Sequence, residues 1–123
     1  MRALPTAAAL SAALAIAAGA FGAHGAEAKA AEWLRTGASY QLVHAVAALS
    51  IASRAPRAAW VLLAGAGVFA LTLYAMALGA PRWFGAITPI GGVAMIGGWL
   101  WFAVQSAASR NAATSSSDTD LST

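Results

Sequence analysis

Cysteine occurs nowhere in the chain, which excludes disulfides and thiolate metal ligands and leaves the redox compartment unwritten. Acidic side chains are nearly as rare. The four of them, Glu27, Glu32, Asp118 and Asp120, leave residues 33–117 without a carboxylate. That rules out paired-carboxylate acid–base chemistry and an acidic proton relay through the middle of the protein. Charge of either sign makes up only 9% of the 123 residues, against about 25% in a soluble domain. A water-soluble fold would have nothing to cover its surface with. The net charge of +3 comes from a few residues at segment ends, so its basicity does not point to nucleic acid as a partner. Nucleotide-binding glycine loops, zinc-protease helices and internal repeats are missing too, and no enzyme activity is expected.

What remains is apolar: 60% of the residues are hydrophobic. The class this sets is an all-α, polytopic integral membrane protein whose first partner is the lipid bilayer. At about 20 residues per crossing, four spans use about 80 residues and leave room for short loops. The spans are predicted at 4–22, 39–54, 57–78 and 84–107 and pack as one compact four-helix bundle, a single domain of residues 1–108. A polar tail of Asn, Ser, Thr and Asp follows at 109–123 and is expected to be disordered.

The first apolar run sits behind Arg2 and also fits a secretory signal peptide. Its length and the spans that follow favour a retained first helix. Ala12, Ala15, Gly19 and Gly22 recur along one side of it, a small-residue face that lets a second helix approach closely. Gly67, Gly91, Gly92 and Gly98 are expected to make similar contacts on the third and fourth helices. Between the first two spans, residues 26–37 read as a short amphipathic helix lying in the interface plane. Lys29, Glu32 and Arg35 lie on its wet side and Trp33 at the headgroup boundary. It is too short and too charged to cross about 30 Å of hydrocarbon.

Polar groups inside a bilayer are costly and therefore mark candidate sites. Tyr40, Gln41 and His44 open the second span at spacings that put them within roughly 100° of arc on a helix. Four spans bring the ends of helices 1 and 3 to the same membrane side as the starts of helices 2 and 4. His24, Tyr74 and Thr88 therefore join Tyr40, Gln41 and His44 at one leaflet. The expected arrangement is a polar hydrogen-bond cluster, or a ligand pocket around His44, Gln41 and Tyr74. With no carboxylate in the spans, His44 is expected to be neutral, donating through one ring nitrogen and accepting through the other. Two histidines with no third ligand make a poor metal site, so neither a metal nor a cofactor is expected.

Several ordered motifs carry a family resemblance. Gly19-Ala20-Phe21-Gly22-Ala23-His24-Gly25, Tyr40-Gln41 with His44-Ala45, Leu73-Tyr74, and Ile87-Thr88-Pro89-Ile90-Gly91-Gly92 with Gly98-Trp99 resemble a family of small bacterial membrane proteins of unknown function. Animal transmembrane protein 256 is grouped with it. The resemblance covers roughly residues 4–107 and implies a compact four-helix membrane protein, without an activity to carry over. Family members often have a Ser-Gly-Ser run before the Leu-Tyr pair, where this chain has Ala70-Leu71-Thr72.

The functional expectation is a structural or assembly component of the bacterial inner membrane, acting as a homo-oligomer or with a membrane-protein partner. The alternative is small-molecule or lipid-headgroup binding, or minor transport, at the polar leaflet. Arg2, Arg54, Arg57 and Arg110 lie on the side of the termini, against Lys29, Arg35 and Arg82 on the other. By the positive-inside rule that margin of one places both termini in the cytoplasm.

Overall fold

The computed structural model describes residues 3–122. Met1, Arg2 (counted in the charge balance) and Thr123 (the end of the expected tail) fall outside the described residues. The described residues form four α-helices: α1, Ala3–His24; α2, Ala28–Ile51; α3, Pro56–Ala77; and α4, Thr88–Leu121. A short 3₁₀ segment, Arg82–Ala86, leads into α4. By length and composition, α1, α3 and the stretch Arg82–Leu121 can each cross a membrane.

The helix ends follow from their residues. Pro56 opens α3, where a missing N–H costs nothing because the first amides have no helical acceptor. Gly79 closes α3 at φ 105°, a conformation that side chains resist. The turn is a Schellman motif: Ala80 N–H donates to the Ala75 carbonyl at 2.9 Å and Gly79 N–H to the Met76 carbonyl at 3.1 Å.

Two expectations about the extent of the helices are corrected. The amphipathic helix at 26–37 and the span at 39–54 are one continuous helix, α2, starting at Ala28 and ending at Ile51. Gly37, the last residue of the expected amphipathic helix, is a notch. A Cβ there would lie 2.7 Å from the Tyr74 ring, so glycine is present to admit that ring rather than to end the helix. At about 1.5 Å per residue, the 24 residues of α2 extend about 36 Å. The second correction concerns the tail. α4 runs on through 109–121 as helix, exposed on all sides. Hydroxyls of Ser109, Thr114, Ser117 and Thr119 donate to carbonyls one turn back, so local bonds alone carry this stretch.

The helices form an antiparallel row rather than a closed bundle. α1 packs on α2, α2 on α3 and α3 on α4, while α1 touches α3 lightly and no α-carbon of α1 comes within 8 Å of α4. The largest apolar core gathers Leu4 and Ala8 of α1, Ala45, Ala48 and Ile51 of α2, and Ala58, Ala59, Leu62 and Leu63 of α3. Alanine dominates it because the helix axes are close.

Glycine sets the α3–α4 approach. A Cβ on Gly91 would sit 2.5 Å from the Phe69 backbone nitrogen and 2.6 Å from the Gly65 carbonyl oxygen. On Gly98 it would meet Leu62 at 2.8 Å. At the α1–α2 seam Gly22 faces Leu34 and Gly19 faces Ala38, with Ala15 buried and Ala12 at the edge of the core. Gly67 does not pack, since a Cβ there would meet nothing within 4 Å, and Gly92 only grazes Phe69. Gly65, two positions earlier on the inward face, makes the contact expected of Gly67.

Candidate functional site

The middle of the row holds the polar groups that the helices carry into it. Gln41 is 2% exposed and joins three helices. Its amide nitrogen donates to Ser11 Oγ of α1 at 3.1 Å, and its Oε1 accepts from the Tyr74 hydroxyl of α3 at 2.7 Å. Antiparallel packing of α2 against both neighbours brings these residues level, and the Gly37 notch seats the Tyr74 ring beside them.

His44, one turn further along α2 and also buried, sits between two fixed partners. Its Nδ1 is 2.7 Å from the Tyr40 carbonyl oxygen, and Trp99 Nε1 of α4 is 3.1 Å from its Nε2. A carbonyl only accepts and an indole N–H only donates, so the pattern assigns the neutral tautomer with hydrogen on Nδ1. An imidazolium would have no lone pair for Trp99. The Trp99 ring meets His44 edge-on with centroids 6.0 Å apart, and Tyr40 packs on Phe69 at 4.7 Å. The backbones of α2 and α4 are not in contact, so this indole–imidazole bond reaches across the gap between them.

A third pair ties α3 to the start of α4. The Thr72 and Thr88 hydroxyls are 2.7 Å apart, with Thr72 also 2.9 Å from the Val68 carbonyl. One donates to the other, and the second hydrogen is taken by a helix carbonyl.

The sequence-predicted residues thus fall into three groups: Gln41 with Tyr74, His44 with the Tyr40 backbone, and Thr88 with Thr72. His24 joins none of them. It is exposed at the end of α1 and does not meet His44. Three partners, Ser11, Thr72 and Trp99, were not expected. Ser11 and Thr72 are isolated hydroxyls in apolar runs, and that isolation was the available signal. Among the described residues every buried side-chain nitrogen and oxygen has a hydrogen-bond partner, and no three of His, Cys, Asp and Glu cluster as metal ligands would.

Open space lies beside this network. A cavity of about 350 Å³ runs between α2 and α4, lined by Tyr40, His44, Phe69, Gly92, Met95, Ile96 and Trp99. Gln41 and Tyr74 line none of it; they face the interior and each other. Among the described residues the Tyr40 hydroxyl has no hydrogen-bond partner.

Comparison with known proteins gives a consistent picture. Residues 18–92 match the family model described as "Protein of unknown function (DUF423)". The chain is 39% identical over 116 residues to a UPF0382 membrane protein of Haemophilus influenzae, covering 84% of this chain and 92% of the relative. Identity to the UPF0382 membrane protein YwdK of Bacillus subtilis is 36% over 110 residues, 78% and 89% of the two chains. Identity to the UPF0382 inner membrane protein YgdD of Escherichia coli is 38% over 104 residues, 75% and 79% of the two chains. No solved structure matches the chain.

Proposed function

Because this chain belongs to the DUF423 family of unknown function and is a membrane protein, we propose that it is a structural or assembly component of the inner membrane, held together by its internal polar bonds. The observation that carries this reading is Gln41. Its amide nitrogen donates to α1 and its carbonyl accepts from α3, which ties three helices together at a side chain whose burial closes it to a ligand. Bonds of this kind are worth about 0.6 kcal/mol each in membranes, enough to select one packing when hydrophobic burial does not. The exposed apolar flanks of α1 and α4 fit a second copy or another membrane protein as partner.

In this reading α2 is a fourth span. Its charged first turns, with Lys29, Glu32 and Arg35, sit at one surface, and both termini are cytoplasmic. The chain has no native cysteine, so single cysteines placed at Glu27, Arg35 and Arg54 give clean labelling. Glu27 and Arg35 should label from the periplasm and Arg54 from the cytoplasm. Labelling of all three from one side would remove the fourth span.

The cavity beside His44 favours a second reading, a site for a small molecule or lipid headgroup. The two readings part at one residue. If His44 is structural, His44→Gln retains most of the stability and His44→Leu loses it. If His44 serves a ligand, His44→Leu is as stable as the parent in reversible detergent unfolding.

A further inference from the structure

At the end of the row opposite the His44 network, the turn after α2 faces the outer part of α4 across a second cavity, of about 320 Å³. It is lined by Arg54, Ala55, Phe102, Gln105, Ser106 and Ser109. We propose that this cavity is a binding site for the phosphate of an anionic phospholipid in the leaflet on the side of the termini.

The lining carries several hydrogen-bond donors and no carboxylate. The Lys29–Glu32 ion pair lies at the other end of the helices, and no acidic residue lines the cavity beside Arg54. Asp118 and Asp120 follow Ser109 by nine and eleven positions, about 13 Å or more along the axis of α4. No hydrogen bond of the described protein engages the Arg54 guanidinium, the Gln105 amide or the Ser106 hydroxyl. Ser109 gives its hydrogen to the Gln105 carbonyl at 3.0 Å. A guanidinium fork matches two oxygens of a phosphate, and an amide and a hydroxyl beside it supply the remaining donors.

The level of the cavity fits a lipid rather than a free anion. Trp60 on α3 and Trp101 on α4 are exposed at this end, the position of an aromatic belt at the headgroup boundary. Phe102 lines the cavity one turn nearer the membrane than Gln105 and Ser106, giving a first apolar contact to an acyl chain leaving the headgroup. A volume of about 320 Å³ lies at the small end of ligand sites, suited to a headgroup and not to a whole lipid.

The test is native mass spectrometry of the full chain in a neutral detergent, titrated with phosphatidylglycerol and, separately, with inorganic phosphate. The parent should form a one-to-one lipid adduct. R54Q should weaken it by about tenfold or more, the scale of a charge-assisted hydrogen bond. Ser106→Leu, which retains every charge but fills the cavity, should weaken it comparably. R57Q, an exposed neighbour that does not line the cavity, should stay within about twofold of the parent, as a solvent-screened charge does. Unchanged binding in R54Q and Ser106→Leu would overturn the site. Equal loss in R57Q would reassign the binding to general surface charge. Inorganic phosphate matching the lipid in affinity would overturn the lipid assignment.

Discussion

α1 and α3 have the same length, 22 residues, and both read as membrane helices, yet 50% of the most apolar stretch of α3 is buried in the protein and only 17% of that of α1. Hydropathy places both in the bilayer and says nothing of where they stand in the row. In lipid, burying an apolar side chain against protein gains little, because the tails it leaves are equally apolar. Position is decided by close approach and by polar partners. α3 has both: Gly65 against Gly91 on one side, and the Tyr74 hydroxyl held by Gln41 on the other. On α1 the Gln41 amide bonds to Ser11, and the Gly19 contact is an ordinary one, with a Cβ there meeting Ala38 at 3.5 Å.

The comparison is broken most forcefully at Gly91. The atoms a Cβ would strike there belong to the backbone of α3 and cannot rotate away, so Gly91→Ala should cost about 3 kcal/mol in reversible detergent unfolding and separate α4 from α3. Parent-like stability would mean that the α3–α4 seam is wider than described. Gln41→Leu comes next. It leaves the Tyr74 hydroxyl buried without its acceptor and should cost about 2 kcal/mol, loosening α1 and α3 together. A loss confined to one seam, read from inter-helix crosslinking, would show that Gln41 does not bridge both.

Trp99→Phe removes one N–H and retains most of the ring. It should cost about 0.6 kcal/mol, and the Nε2 resonance of His44 should shift in the variant's nitrogen NMR spectrum. An unmoved resonance would deny the indole bond. The smallest effect belongs to α1. A Cβ on Gly19 would meet Ala38 at 3.5 Å, an ordinary contact, so Gly19→Ala should stay within about 0.5 kcal/mol of the parent. Set beside Gly91→Ala, it measures how unequal the two seams are.

Much of this was legible from single residues. The extents of α1 and α3 followed from apolar length, and Gln41, His44, Tyr74 and Thr88 were singled out because polar groups in apolar runs need partners. The pairing was harder. In an antiparallel pair the numbers of facing residues sum to a near-constant, but one contact must be known before Ser11 can be set opposite Gln41. The break expected at 37–39 misled because a charged stretch followed by an apolar one reads as two segments, and the notch that Gly37 makes for the Tyr74 ring is visible only in the packed helices. The polar end of α4 misled for a related reason. Ser and Thr are poor helix formers by composition, and the bonds they make to carbonyls one turn back appear only when the helix already exists.

The three-way role of Gln41 also bears on how the chain enters the membrane during synthesis. Ribosomes release Ser11 first, Gln41 second and Tyr74 last. α2, with its charged opening turns and its amide, is the helix least able to leave the translocon alone. If it spans, it can do so as a hairpin with α1, whose Ser11 already waits for the amide nitrogen, while the carbonyl stays open until α3 arrives. The α1–α2 seam would then be the first one made. A chain truncated before Pro56 would be expected to insert but not to settle.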